Sequence, residues 1–230
     1  MNWIQVQTAA EGPHTLVGID VFLPGTPEPG KRYPLVILLH GRNADHTEWM
    51  RKVRLERYAE EAGVALALVQ GNQNFFVNSV WGYNWGDFVA KEVPAKLAGW
   101  FPISSEPEDI TVMGVDMGGY GAMMAAQHFP EAIGKAVAVD PILDVAKLYD
   151  SGMEPRPEYI FGPREELEAK GFRFSKEGRV PVVLLVGPDG DREARDFAAQ
   201  RPYVRLVRLK DRDQEERMEE AFQMLMGGAF

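Results

Sequence analysis

Asp116 stands at the centre of Gly114-Val115-Asp116-Met117-Gly118, a G-x-D-x-G run. The spacing is that of a nucleophile elbow, with a carboxylate where such a turn normally carries a serine hydroxyl. An apex side chain of this kind is aimed into a pocket, where a carboxylate can act as nucleophile, as acid or base, or as one ligand of a cation. Other groups can reach it only from neighbouring strand ends. His40 closes the aliphatic run 35–39 and is a candidate base, with His46 a more distant second. Asp189 and Asp191 follow the run 180–186, and Asp211 follows the run 203–209.

The elements that must position these groups are legible from their hydrophobic period. Residues 35–39, 64–69, 110–113, 136–139, 180–186 and 203–209 are short aliphatic runs of the kind found in strands covered on both faces. Helical stripes lie between them: 48–62, then 88–101 with an interruption expected at Pro94, 191–200 and 214–226. This alternation predicts an α/β fold with a mostly parallel, doubly wound sheet. Residues 2–8 and 15–23 alternate apolar and polar and predict two antiparallel strands at the start. Glycines 114, 118 and 119 suit a sharp strand-to-helix corner at Asp116. Residues 141–179, after the sixth strand, show no clean period and read as a short insertion over the pocket mouth within one domain spanning 1–230. The loop 71–87 is rich in amides and aromatics, and Phe76, Trp81, Tyr83 and Trp85 are its candidate pocket residues, for an acyl, aromatic or sugar ligand.

Composition narrows the function classes. A formal net charge of −9 without a dense basic run argues against nucleic acid or an anionic membrane surface as partner. The absence of cysteine removes disulfides, thiol nucleophiles and thiolate metal sites. No stretch approaches the roughly 18 apolar residues of a spanning helix, and the first residues do not form a leader, so a soluble, cytoplasmic protein is the expectation. The leading reading calls for no cofactor and no metal, and leaves homo-oligomerisation open.

The strand end Leu38-Leu39-His40-Gly41, the segment from Gly82-Tyr83-Asn84 to Pro94, and above all Gly114-Val-Asp-Met-Gly-Gly-Tyr-Gly-Ala122 resemble α/β-hydrolases of the esterase D and tributyrin esterase type. That group is related to S-formylglutathione hydrolases and the antigen 85 acyltransferases. Its members carry G-x-S-M-G-G-Y/H-G-A at the elbow, so every small residue matches and the nucleophile differs. The resemblance covers most of the chain and implies the α/β-hydrolase fold. It also implies hydrolysis of small carboxylic esters or thioesters through Ser, Asp and His in that order, with an oxyanion hole from the backbone N–H of Met117 and of Arg42 or Asn43. The triad does not carry over. The acid expected three residues after Gly187 falls on Gly190, between Asp189 and Asp191, and the segment 209–215 that should hold the histidine has Asp211 instead. None of the four histidines lies beyond residue 128.

Three roles are therefore open to Asp116. It can be a nucleophilic carboxylate, although hydrolysis of the covalent ester then needs a base that the missing histidine no longer supplies. It can mark a ligand-binding or interaction pseudoenzyme that keeps the pocket and has lost serine-esterase chemistry. It can also join Asp189 or Asp191 and Asp211 or Asp213 in an acidic cluster for a hard cation or a cationic ligand. The second reading explains the loss of both nucleophile and base most simply, with a small ester-, acyl- or aromatic-containing molecule as ligand.

Overall fold

A computed structural model describes residues 1–25, 28–152, 156–209 and 211–227. The first two strands, β1 (Asn2–Ala10) and β2 (Thr15–Leu23), pair antiparallel in a register that sets Asn2 opposite Leu23 and Ala10 opposite Thr15. Six further strands are parallel to one another: β3 (Leu35–Leu39), β4 (Ala65–Val69), β5 (Ile110–Val115), β6 (Lys135–Val139), β7 (Val182–Val186) and β8 (Val204–Arg208). The sheet order is β1-β2-β4-β3-β5-β6-β7-β8, with β2 joining β4 antiparallel. The chain thus steps from β3 outward to β4 and then back across β3 to β5. That reversal opens a crevice at the carboxyl ends of β3 and β5, the place where open α/β sheets bind ligands.

Alternate residues of the central strands enter two separate cores. Leu35, Ile37 and Leu39 of β3 face one, while Val36 and Leu38 face the other; Val112 and Met113 of β5 divide the same way. Burial on both faces is why these strands read as continuous aliphatic runs, and each fully buried Leu, Ile or Val contributes about 1.5–3 kcal/mol. The second core is closed by α1 (Glu48–Lys52), α2 (Leu55–Ala62) and later by the C-terminal helix, whose Phe222 stacks on Tyr58 and meets Trp49 edge-on.

The expected helix over 48–62 is two helices. Val53 is extended, at φ −131° and ψ 143°. In an unbroken helix Val53 and Leu55, two residues apart, would face different directions. The break buries both against Trp49. Around Pro94 the outcome is the opposite. A helical run passes from α3 (Trp85–Asp87) through a π-helical turn at Phe88–Glu92 into α4 (Val93–Trp100), and the widened turn accommodates a residue with no N–H to donate.

The elbow helix α5 (Met117–His128) starts directly at Asp116. The described residues of 141–179 contribute short pieces, including α6 (Leu148–Ser151) and α7 (Glu158–Phe161), and Phe161 of α7 meets Tyr120 of α5 edge-on. Tyr120 Oη donates to Phe172 O at 2.7 Å, Gln127 Nε2 donates to Arg173 O at 3.1 Å, and Phe161 and Leu167 are fully buried. The remaining helices are α8 (Asp191–Ala198) and α9 (Gln214–Met226).

The close approach of β5, α5 and β3 depends on absent side chains. A Cβ on Gly114 would lie 2.1 Å from Gly118 O, and one on Gly118 would lie 2.4 Å from Leu39 O. Both obstacles are backbone, which cannot swing aside. Gly114→Ala should therefore destabilise the protein by about 3 kcal/mol or more in urea unfolding; a change near zero would mean that the strand and helix are not held this close.

Candidate functional site

Asp116 has φ 52° and ψ −113°, a conformation a non-glycine residue adopts only under constraint. Its N–H is held by Val139 O on β6 at 3.0 Å, and its C=O accepts from Tyr120 N–H at 3.1 Å in the first turn of α5. The sharp corner is thus tied to the sheet on one side and to the helix on the other.

The carboxylate does not stand free in the crevice. Asp116 Oδ2 accepts from the backbone N–H of Arg42 at 3.0 Å and from Arg42 Nε at 2.9 Å, and Oδ1 accepts from Arg42 Nη2 at 2.8 Å. This is a fork-to-fork pair with a backbone bond added, the strong form of a charge-assisted contact. Both side chains are mostly withdrawn from water, at 17% and 21% exposure, so screening weakens the pair less than it would at the surface. Of the two residues that could supply the first oxyanion donor, Arg42 is the one whose N–H points at the elbow; Asn43 is exposed at φ 57°. Met117 is fully buried at the first position of α5, where its N–H has no intrahelical acceptor.

Gly41 is squeezed between two carboxylates. A Cβ there would lie 3.4 Å from both Asp116 Cβ and Glu48 Oε2. Glu48 is buried, accepts from Gly41 N–H at 2.7 Å and pairs with Lys52 at 2.9 Å. His40, the candidate base, is fully buried. Its Nδ1 is 2.8 Å from Gly41 O, and its Nε2 lies 2.5 Å from Gly71 O and 3.1 Å from Gly71 N. Both ring nitrogens are occupied by backbone, so the imidazole braces two strand ends and has no nitrogen to offer a water molecule.

The acidic residues expected around Asp116 have other engagements. Asp191 pairs with Arg208 of β8. Asp213 caps α9 with a reciprocal capping box to Glu216, and Asp189 and Asp211 are exposed. Among the described residues no group of three or more His, Asp or Glu gathers to hold a metal ion. A different acid is the neighbour. Asp140 follows β6 as Asp116 follows β5, the register pairing Val115 with Val139, and it too has a positive φ, 44°. It accepts from Arg217 Nε at 2.8 Å and Nη2 at 2.7 Å, and from Gly187 N–H at 2.9 Å. A Cβ on Gly187 would lie 2.8 Å from the Arg217 guanidinium carbon, so the glycine makes room for that arginine. Asp140, Arg217 and Glu48 were not singled out by motif. The available signal was a carboxylate directly after an aliphatic run, shared by Asp116 and Asp140.

The aromatic loop divides. Phe76 and Trp85 are buried at 1% and 6% and meet edge-on, whereas Trp81 and Tyr83 are 69% and 54% exposed. The four do not form one pocket wall. Phe75 and Phe76 carry consecutive positive φ values, 58° and 54°, in a turn where Asn74 Oδ1 accepts from Phe76 N–H at 2.8 Å. Left-handed backbone costs about 1–2 kcal/mol per residue, and burying each ring returns about 1.5–3 kcal/mol, so core packing decides the turn.

A sequence model of the family described as "Putative esterase" matches residues 13–218. The chain belongs to this esterase family. An acetyl esterase of Caldicellulosiruptor saccharolyticus is 26% identical over 165 residues, which cover 64% of this chain and 62% of that enzyme, so the chain matches less than two-thirds of its length. Among solved structures, the fluorophosphonate-binding serine hydrolase F of Staphylococcus aureus superposes with a TM-score of 0.80 at 19% identity, covering 98% of both chains. An S-formylglutathione hydrolase of Agrobacterium tumefaciens superposes at 0.75 with 19% identity, covering 100% of this chain and 97% of the other. These likenesses establish a common fold. Among the described residues no helix is long and apolar enough to cross a membrane.

Two outcomes test this geometry. Arg42→Met leaves the Asp116 carboxylate with one backbone donor and should cost about 2 kcal/mol, between surface and buried ion-pair values. Arg42→Met/Asp116→Ala should lose less than the sum of the single changes, and strict additivity in unfolding experiments would contradict the pairing. The loop carrying Arg42 is also pinned by Asp45, whose carboxyl is lowered to about 2, first by the Thr47 hydroxyl, with Arg51 and Thr47 N–H helping against partial desolvation. Its stabilising effect is present above the ordinary carboxylate value of 3.8 and is lost as pH falls through about 2. The stabilities of wild type and Asp45→Ala should therefore differ at pH 6 and converge towards pH 2.

Proposed function

We propose that this esterase-family chain is a ligand-binding member with a degenerate triad and without conventional serine-esterase turnover. The observation that carries the reading is the bond from Arg42 N–H to Asp116 Oδ2 at 3.0 Å. An oxyanion hole works by presenting such a donor, about 2.7–3.1 Å away, to the charge that develops on an acyl oxygen. Here the elbow carboxylate already holds it, and a second negative charge beside it would be repelled. The missing imidazole supports the same reading, since the residues after β8 supply Asp213 as a helix cap and Asp211 at the surface. The ligand class that fits is a small molecule with an ester, acyl or aromatic group, in keeping with the acetyl esterase relative and its family.

A second reading has one specific observation in its favour. Among the described residues Asp116 Oδ1 is held by the Arg42 side chain alone, so a swing of that guanidinium would bare Oδ1 as a nucleophile while Oδ2 stayed on the backbone donor. Hydrolysis of p-nitrophenyl acetate by wild type, Asp116→Ala and Arg42→Met separates the two. The expected result is a rate near the buffer background in all three. Turnover that Asp116→Ala abolishes and Arg42→Met raises would overturn the ligand-binding reading and establish Asp116 as the nucleophile.

A further inference from the structure

We propose a second ligand site, for a small aromatic carboxylate, against the second half of α5 and about 10 Å along that helix from the elbow. A cavity of about 340 Å³ opens there, within the range of about 300–1,000 Å³ typical of small-molecule pockets. Its walls include Phe76, Met124, Phe129 and Phe172, with Asn78, His128 and Lys170 as polar members of the lining. Three phenyl rings converging on one space offer a bound ring the edge-to-face contacts that aromatic pairs prefer. This chemistry is distinct from that of the elbow, where two charged side chains satisfy each other.

The charge around the cavity selects a carboxylate. Among the described residues Lys170 is the one Lys or Arg of the lining, which contains no Asp or Glu, and the Asp87 carboxylate beside the lining is engaged by Asn78 and Lys91. Lys170 Nζ does pair with Glu166 Oε2 at 3.2 Å, but both side chains are substantially exposed, at 38% and 48%. Such a surface pair holds weakly and can be exchanged for a ligand carboxylate anchored by its ring. Lys91 stands nearby over the Phe129 ring at 4.8 Å, its ammonium shared with Asp87 at 2.6 Å. His128 Nε2 lies 2.9 Å from Gly171 O, which fixes the Lys170-bearing segment to the end of α5. On its other side Phe76 meets the His40 ring at 5.2 Å, so the cavity wall is continuous with the strand end that carries Arg42.

Two methionines on α5 report the two sites separately. Met117 is at the elbow and Met124 lines the cavity. Phenylacetate is titrated into full-length protein labelled at the methionine methyls, with phenylacetamide as the neutral counterpart and Met→Leu variants for assignment. The expected result is a saturable shift of Met124 with Met117 unmoved, and a higher affinity for phenylacetate than for phenylacetamide. Lys170→Gln, at an exposed position, should weaken phenylacetate binding about threefold and leave phenylacetamide unchanged. A response of Met117 without Met124, equal affinity for acid and amide, or no saturable shift of Met124 would each overturn the proposal.

Discussion

The ion pair between Arg42 and Asp116 is the contact on which the arrangement at the sheet mouth depends. It joins the loop after β3 to the corner after β5 across the topological switch point, and it does so with three bonds, one of them from backbone. An unpaired carboxylate in so confined a place would be costly, because low local dielectric strengthens both the penalty for burial and the reward for pairing. The same pair engages both carboxylate oxygens of Asp116 and the backbone N–H of Arg42.

The pattern is repeated one strand over. Asp140 is held by Arg217 at the end of β6 as Asp116 is held by Arg42 at the end of β5, and both aspartates sit at positive φ. The register sets Asp116 and Asp140 at the ends of adjacent parallel strands, and two guanidiniums from distant parts of the chain pair with them. Glycines set the spacing around both pairs: Gly41 beside Asp116, and Gly187 beside Arg217. The helix that follows β8, α9, sends Arg217 back to the sheet, where it pairs with Asp140.

Much of the fold was legible in the sequence because its signals are local. Aliphatic runs of five or six residues marked the buried strands, alternation marked β1 and β2, and the glycine spacing around Asp116 marked the corner. The aspartate at the apex was also plain, since it is a matter of residue identity. Where the reading went astray, packing had overridden a local pattern. The 48–62 stripe broke so that Val53 and Leu55 share one core, and Pro94 followed a π-helical turn without ending the run.

The sequence by itself determined the α/β architecture and the sharp strand-to-helix corner at Asp116. Only the tertiary structure decided what Asp116 does with its charge. Arg42 lies 74 residues away and was legible merely as a backbone donor, while Asp140 and Arg217 are separated by 77 residues. Hydrophobic period reports which face of an element is buried, because that is repeated every two or every three to four residues. Ion-pair partners follow from strand order and loop path, which no local period encodes, so the pair that closes the elbow became visible only when β3 and β5 were set side by side.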